Sequence, residues 1–293
     1  MSDRDHELAL ADAFAEAPDG RPTRRMPVVR VRFGEPEPAS DLLAAEEPLE
    51  IRLDSAPVAV TMRTPAPGED AELAVGFLTG EAIVDVADVA RVVECRSEPT
   101  EGGAVDVRLR GGATPAPGWQ RSFYATSSCG ICGKASIDAV RVAADELGSG
   151  PGVSAATIEA LPDALRAAQR VFERTGGLHA AGLFTAAGEP LVVREDVGRH
   201  NAVDKAIGRM ALDGRLPLSD LVLQVSGRAS FEIVQKAAVA GIPIVAAVSA
   251  PSSLAVRLAS ELGMTLIGFS RPGGFNVYTG ADRVAGLAPG TQR

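Results

Sequence analysis

The regular alternation of helices with short apolar strands in the second half of the chain constrains the fold more than any other feature. Residues 242–248 are nearly all apolar, and residues 253–262 carry leucine at every fourth position. Apolar strands separated by helices are typical of a parallel sheet buried on both faces. The pattern therefore predicts an α/β domain with helices over 162–174, 199–212, 230–240 and 253–262 and strands over 180–185, 191–195, 221–225, 242–248 and 264–269.

The order of these elements, a helix, two strands and then three helix–strand pairs, resembles the cytidine-deaminase-like fold. Zinc deaminases carry H-x-E at the start of one helix and P-C-x-x-C at the start of the next. The corresponding positions here read Gly198-Arg199-His200-Asn201-Ala202 and Ser226-Gly227-Arg228-Ala229-Ser230. We therefore expect a deaminase-like three-layer domain that lacks the zinc site.

The first half of the chain has the pattern of a smaller, β-rich α+β domain. Residues 49–53 alternate apolar and polar side chains, as a half-buried strand does. The other predicted elements are strands that open at Val28 and over 56–62, 89–95 and 105–109, and helices over 69–78 and 136–147. The Gly-rich break at 148–152 is the predicted boundary. The prediction is thus a disordered tail over 1–26, an N-terminal domain over 27–150 and the α/β domain over 151–285.

Charge and apolar content exclude several classes of protein. The formal net charge of −9 argues against non-specific nucleic-acid binding, which needs a basic surface. No apolar run reaches the roughly 18 residues of a bilayer span. The N-terminus also lacks the basic start and apolar core of a secretory signal. We expect a cytoplasmic protein with neither a membrane nor a nucleic-acid partner.

The chain holds three cysteines, of which Cys129 and Cys132 form a C-x-x-C pair. Lys134 and the N-terminus of the helix predicted after it favour the thiolate, which is the nucleophilic form. Half of a zinc site and a redox disulfide remain as alternatives. Zinc would need two further ligands, and the sequence has no second C-x-x-C. Cys95 lies in a predicted strand and is interpreted as a small core residue.

Candidate ligand contacts lie at the ends of several predicted strands, where each strand meets a helix or a turn, and His179 stands among glycines just before one of them. The candidates are His179; Asp196, Arg199, His200 and Asn201; Arg228; and Phe269, Ser270, Arg271, Pro272, Gly273 and Gly274. Open α/β sheets bind ligands outside the carboxyl ends of their strands. Arginines and backbone N–H groups at such positions suit phosphate. The pattern predicts a large anionic ligand such as a nucleotide.

These motifs together resemble the formate dehydrogenase accessory sulfurtransferases, the FdhD family. The resemblance runs from about Glu47 to about Gly274. It rests on PVAVTMRTP at 57–65, ELAVGFL at 72–78, SCGICG at 128–133, GLHAAG at 177–182, the run from Glu195 to Lys205, GRASFE at 227–232 and FSRP at 269–272.

The resemblance implies a function that residue spacing alone does not give. Such proteins take sulfur from a cysteine desulfurase as a persulfide and deliver it to the molybdenum bis(molybdopterin guanine dinucleotide) cofactor of formate dehydrogenase. Cys129 would then carry the persulfide with help from Cys132, and residues Phe269 to Gly274 would contact the guanine-dinucleotide cofactor. The resemblance also implies a homodimer. A cofactor-binding chaperone whose thiols only position the ligand, and a zinc-binding module, are the alternative functions.

Overall fold

The computed structural model describes residues 20–95, 103–116, 147–148 and 150–287. Its strands are β1 (Thr23–Arg32), β2 (Glu35–Ala44), β3 (Glu47–Leu53), β4 (Ala56–Arg63), β5 (Val89–Cys95), β6 (Ala104–Leu109), β7 (Val153–Ser154), β8 (His179–Thr185), β9 (Pro190–Asp196), β10 (Leu221–Val225), β11 (Ile244–Ala247), β12 (Thr265–Arg271), β13 (Gly274–Thr279) and β14 (Val284–Ala285). Its α-helices are α1 (Glu69–Gly80), α2 (Ala155–Ala168), α3 (Arg170–Thr175), α4 (Arg199–Leu212), α5 (Phe231–Val239) and α6 (Ser253–Glu261). The protein is thus a mixed α/β structure.

The sheet predicted from the alternating pattern runs in the order β13-β12-β11-β10-β8-β9. Strands β10, β11 and β12 are parallel neighbours, whereas β8 is antiparallel to both β9 and β10. Strands β10 and β11 are buried along their whole length, which explains why their apolar runs do not alternate. As a result β9, β10, β11 and β12 end, and β8 begins, at one edge of the sheet, which we name the carboxyl edge.

Helices cover both faces of this sheet. Helices α4, α5 and α6 pack on one face, in a core that includes Leu223, Ile207 and Val234. Helix α2 packs on the other face, where Leu161 and Phe184 are fully buried. The arrangement is therefore helix, sheet and helix, with the carboxyl edge left uncovered by these helices.

A second sheet in the order β4-β3-β6-β5 packs against α1. Residues of β3 alternate between buried and partly exposed over Glu47–Leu53, so the predicted half-buried strand is confirmed. Its inward side chains join Leu73 and Leu78 of α1 in a separate core. Helix α1 also crosses α4, and this crossing connects the N-terminal sheet to the sheet that carries the carboxyl edge.

The prediction that the tail extends to residue 26 is wrong for Thr23–Met26, which belong to β1. Strand β1 pairs with β2 in an antiparallel hairpin whose turn holds Phe33 and Gly34 at positive φ. The sequence analysis did not predict β2, because Pro36 and Pro38 disfavour a strand. The N–H of Ala45 donates to Pro22 O, 2.9 Å away, and this register turns both proline nitrogens away from β1. The prolines therefore cost the hairpin no internal hydrogen bond.

The predicted helix over 162–174 begins too late, and the structure divides it at Gln169 into α2 and α3. Helix α2 starts at Ala155, where the Ser154 hydroxyl accepts a hydrogen bond from Thr157 N, 3.0 Å away, and it ends before Gln169. Pro162 lies inside α2 and not in its first turn. Proline has no N–H to donate to the carbonyl four residues earlier, that of Ile158. The hydroxyl of Ser270 donates to Ile158 O at 3.0 Å and replaces the missing donor.

The sequence analysis predicted no strand after 264–269, but the sheet continues beyond β12. The chain turns through Pro272 and Gly273 and returns as β13, antiparallel to β12. The helix predicted over 136–147 lies outside the described residues except for Leu147, which is not helical. Among the described helices, none has the length and apolar character needed to cross a membrane.

Candidate functional site

Backbone hydrogen bonds hold the loops of the carboxyl edge side by side. Ser226 N donates to Ala180 O at 2.9 Å, and Ser249 N donates to Gly227 O at 3.3 Å. Phe269 N in turn donates to Ser249 O at 3.2 Å. The start of β8 and the loops after β10, β11 and β12 therefore form one continuous rim, and this rim brings the separate sequence candidates together.

The start of α4 joins the same rim through β9. Asp196, the last residue of β9, pairs with His179 at the start of β8. Arg199 and His200 are the first residues of α4, and both are half-buried. The Nε of Arg199 is buried and makes no hydrogen bond to any described residue. An orphaned guanidinium nitrogen on a rim of loops suits an anionic ligand.

Asp196 and Asn201, both predicted as ligand contacts, have internal partners. The Asp196 carboxylate accepts hydrogen bonds from Thr64 N at 3.0 Å and from Gly198 N at 2.8 Å. Asn201 Nδ2 donates to Met62 O at 2.7 Å. These bonds tie the end of β4 to the start of α4, so the two residues set the position of that helix start.

Lys205, which the sequence analysis did not select as a ligand contact, completes this network from one turn along α4. Its side chain is fully buried, and Nζ lies 2.8 Å from Asp196 Oδ2 and 2.9 Å from Glu69 Oε2. Nζ also donates to Thr64 O at 2.9 Å. Two carboxylates and a carbonyl compensate the buried ammonium group, so its role is to join α1 to α4.

His179 is held in its neutral form. Burial lowers its pKa, and the positive charge of Arg199 and the proximity of His200 lower it further, against the opposite effect of Asp196. The imidazole lies beside Gly227, where a Cβ would come within 3.5 Å of Nδ1. A neutral imidazole can accept or donate a hydrogen bond to a ligand without adding charge.

His200 contacts two residues that the sequence analysis did not select, Ser230 and Glu232. Its Nε2 lies 3.0 Å from Ser230 Oγ and 3.3 Å from Glu232 Oε2. The hydrogen bond from His200 lowers the pKa of Glu232, although burial acts first and in the opposite direction. The carboxylate is therefore ionised at neutral pH.

The β12–β13 hairpin forms a groove of about 430 Å³ at one end of the rim. Predicted contacts line it, namely Phe269, Arg271, Gly273 and Gly274, together with Phe275 and Asn276 of β13, which the sequence analysis missed. Phe269 is 41% exposed at a φ of 53°, where the β12–β13 register shifts. The irregularity turns an aromatic side chain outward, where a planar ring could stack on it.

Ser270 and Pro272 differ from their neighbours in this hairpin. Ser270 is fully buried, and its hydroxyl is committed to Ile158 O. Pro272 is exposed in the turn. The hairpin thus offers a potential ligand an aromatic ring, a guanidinium group and a flexible glycine backbone, while Ser270 anchors it to α2.

Arg199, Arg228 and Arg271 place three guanidinium groups along the carboxyl edge. Arg228 and Arg271 are exposed, and no ion pair between any of the three and a described carboxylate is found. By contrast, Arg63 and Arg194 form close pairs with Asp70 and Glu72, respectively. The rim arginines are therefore the cations available to a phosphate-bearing ligand.

Cys129 and Cys132 lie outside the described residues. Cys95 ends β5 and is half-buried, with its Sγ 3.9 Å from Val93 O. Within the described ranges, no three His, Cys, Asp or Glu side chains are arranged to hold a metal ion.

Comparison with known proteins places this arrangement in a family. The profile of the FdhD/NarQ family matches residues 44–285, which include the whole carboxyl edge. The chain belongs to the FdhD/NarQ family. The resemblance drawn from the motifs is confirmed.

Relatives in the FdhD/NarQ family align with nearly the full chain. The sulfur carrier protein FdhD of Streptomyces avermitilis is 54% identical over 282 residues, which cover 93% of this chain and 99% of that protein. The protein of the same name from Sulfurisphaera tokodaii is 44% identical and covers 89% of this chain and 98% of its own. A crystal structure from Desulfotalea psychrophila, described as a formate dehydrogenase accessory protein, superimposes with a TM-score of 0.68 at 25% identity, over 89% of this chain and 99% of that one.

Proposed function

We propose that this protein is a sulfur carrier required for formate dehydrogenase activity. It accepts sulfur from a cysteine desulfurase as a persulfide on Cys129 and passes it to the molybdenum bis(molybdopterin guanine dinucleotide) cofactor, which is its substrate. The observation that carries the proposal is the 54% identity, over almost the whole length, to proteins named sulfur carrier protein FdhD in Streptomyces avermitilis and Streptomyces coelicolor.

The chemistry of the first step follows from the C-x-x-C segment. The thiolate of Cys129 bonds to the outer sulfur of the desulfurase persulfide, the S–S bond of that persulfide breaks, and the desulfurase cysteine leaves as a thiolate. Lys134, two residues after Cys132 in the sequence, adds a positive charge that favours the thiolate. Cys132 assists Cys129 in carrying the sulfur.

The carboxyl edge is the proposed binding site for the guanine dinucleotide substrate. Arg199, Arg228 and Arg271 face its phosphates, because no described carboxylate neutralises them. Phe269 stacks on a guanine ring, and Gly273 and Gly274, next to Pro272, let the backbone approach it closely. His179 and His200 contact the same ligand, whereas Asp196, Asn201 and Ser270 act by fixing the backbone around it.

The fold and assembly belong to the same proposal. The strand order β9-β8-β10-β11-β12 between two helical layers supports a cytidine-deaminase-like domain over 151–285, joined at the break 148–152 to the domain over 27–150. We propose that the protein works as a homodimer in the cytoplasm, where a reducing environment keeps Cys129 free.

Sulfur loading can be measured directly. The purified chain is incubated with a cysteine desulfurase and L-cysteine, and its intact mass is recorded. Wild type and C95A, the matched control, are expected to gain one sulfur that dithiothreitol removes, and C129A is expected to gain none. Loading of C129A would assign the carrier role to another residue.

Delivery is tested in a strain that lacks its own member of the family. Wild type and C95A are expected to restore formate dehydrogenase activity, and C129A is expected to fail. Activity restored by C129A would refute the persulfide role and favour the alternative, a cofactor-binding chaperone that needs no thiol chemistry.

A further inference from the structure

Ser230 occupies the N-cap position of α5 without capping the helix. Serine at this position normally accepts a hydrogen bond from a backbone N–H of the first turn. Here the side chain makes no such bond, and Oγ lies 3.0 Å from His200 Nε2 instead. The hydroxyl is thus diverted from stabilising its own helix toward the imidazole of α4.

Glu232, two residues further on, approaches the same imidazole nitrogen. Its Oε2 lies 3.3 Å from His200 Nε2, and only 15% of the Glu232 side chain is exposed. Its Oε1 is buried and accepts no hydrogen bond from any described residue. A buried carboxylate oxygen without a partner costs stability, so its retention points to a role in the site.

The contact with the Glu232 carboxylate fixes the state of the imidazole. An ionised carboxylate can only accept, so Nε2 must carry a hydrogen. The neutral form of His200 is therefore the Nε2–H tautomer, and Nδ1 is the atom left to gain or lose a proton. The contacts differ from a serine-hydrolase triad, in which serine and carboxylate bind opposite nitrogens of the ring.

Charged groups from each neighbouring element surround this imidazole. They are His179 of β8, Asp204 of α4 and Glu232 of α5, and Arg199 directly precedes His200 in α4. An anion bound beside Arg199 and His200 would favour the positive form of the imidazole, so protonation and anion binding support each other.

We propose that His200 is the proton-accepting residue of the carboxyl edge and that Glu232 and Ser230 position it. When the phosphate-bearing ligand binds, Nδ1 of His200 takes one proton from a buffer acid, and the imidazolium adds a positive charge facing the ligand. Only a proton moves, and no electrons are exchanged. The inference rests on the proposed function, because it takes the ligand to be the guanine dinucleotide substrate.

Proton uptake can be counted by calorimetry with guanosine diphosphate as the probe. The full chain is titrated at about pH 7 in buffers of different ionisation enthalpy, where the slope of the binding heat gives the protons taken up. Wild type is expected to take up protons when it binds the probe. H200Q is expected to take up none, and E232Q is expected to bind with clearly less uptake than wild type. The matched control E261Q changes an exposed glutamate of α6 and is expected to behave like wild type.

The tautomer gives a second readout that a merely structural role would not move. Besides His200 the sequence has only His6 and His179, so ¹⁵N spectra of histidine-labelled protein are simple to assign. Wild type is expected to show the Nε2–H tautomer of His200, and E232Q a mixture. If E232Q fails to fold, S230A, which keeps the carboxylate, is expected to show a smaller shift in the same direction.

Four results would overturn the inference. Binding of guanosine diphosphate by wild type without proton uptake refutes it alone and leaves the proposed function intact. Full proton uptake in E232Q means that Glu232 does not position His200. Loss of uptake in H179Q, with His200 unchanged, assigns the proton to His179. Absence of binding by wild type refutes both this inference and the proposed ligand, while sulfur loading of Cys129 would still stand by itself.

Discussion

Ser270 donates the hydrogen bond that Pro162, which has no N–H, cannot donate within α2. Pro162 leaves the carbonyl of Ile158 without its helical donor, and the buried Ser270 hydroxyl donates to that carbonyl at 3.0 Å. This bond anchors the β12–β13 hairpin, and with it the groove at the end of the carboxyl edge, to the helix on the opposite face of the sheet. Ser270, which the sequence analysis listed as a ligand contact, is thus bonded to the backbone of α2.

The pairing predicts a non-additive effect on stability. S270A is expected to lower the free energy of unfolding by about 1–3 kcal/mol, because it leaves a buried carbonyl unsatisfied. In a P162A background the helix provides its own N–H, so the same substitution is expected to cost much less. Urea unfolding of the two single variants and the double variant measures the coupling energy. Equal costs of S270A in both backgrounds would contradict it.

Gly76 and Gly208 bring α1 and α4 into backbone contact. A Cβ on Gly76 would lie 2.9 Å from Gly208 N, and one on Gly208 would lie 2.8 Å from Gly76 N, with closer collisions against the carbonyls of Asp204 and Glu72. G76A is therefore expected to lower the free energy of unfolding by about 3 kcal/mol or more, since two helix backbones would have to separate. The control G152A, where a Cβ meets nothing within 4 Å, is expected to be nearly neutral.

The sequence predicts an element well when the residues of that element alone carry its pattern. Helix α4 and strand β10 have the bounds that their patterns predicted, because each carries an unbroken amphipathic or apolar run. Strand β2 was missed because proline usually breaks a strand, whereas in the observed register neither proline nitrogen faces β1. Strand β13 was missed because it follows a Gly-rich turn. The start of α2 was missed because Pro162 reads as a first-turn residue unless Ser270 is known to satisfy Ile158.

Parts of the candidate site could likewise be predicted from local sequence signals, and other parts could not. His179, Arg228 and Arg271 lie at strand ends, so their place on the rim could be predicted. In a sheet whose strands alternate with helices, these strand ends meet at one edge. The pairing of His200 with Glu232 could not be predicted in this way, because it depends on how α4 and α5 lie side by side. Likewise, a polar residue at a strand end, such as Asp196, has the same sequence signal whether it faces a ligand or a backbone N–H.

Asp204 predicts a pH dependence of stability. Burial raises the pKa of its carboxyl to about 6, although Lys236, 2.8 Å away, lowers it. Because the folded chain holds this proton more tightly than the unfolded chain, in which the pKa is about 4, Asp204 contributes stability at low pH that is lost as the pH rises through about 6. Relative to D204N, wild type is expected to lose about 1 kcal/mol between pH 5 and pH 7.

Urea unfolding at both pH values measures this difference. D204N keeps Glu81 as a partner of Lys236, at 3.0 Å, so the variant is expected to fold. D213N, which changes an exposed aspartate at the end of the same helix, is the matched control and is expected to follow the wild-type pH profile. A constant difference between wild type and D204N across this range would mean that the buried carboxyl does not titrate there.

Arg271 tests whether the hairpin groove binds the guanine-bearing ligand. Its guanidinium group is exposed at the groove, so R271Q is expected to leave the free energy of unfolding unchanged. The same variant is expected to weaken the binding of guanosine diphosphate roughly tenfold at low ionic strength and less at high salt, where the charge is screened. R257Q, on α6 and away from the groove, is the control. Unchanged binding in both R271Q and F269A would move the ligand away from the hairpin, because those two side chains supply the charge and the aromatic face that the groove offers.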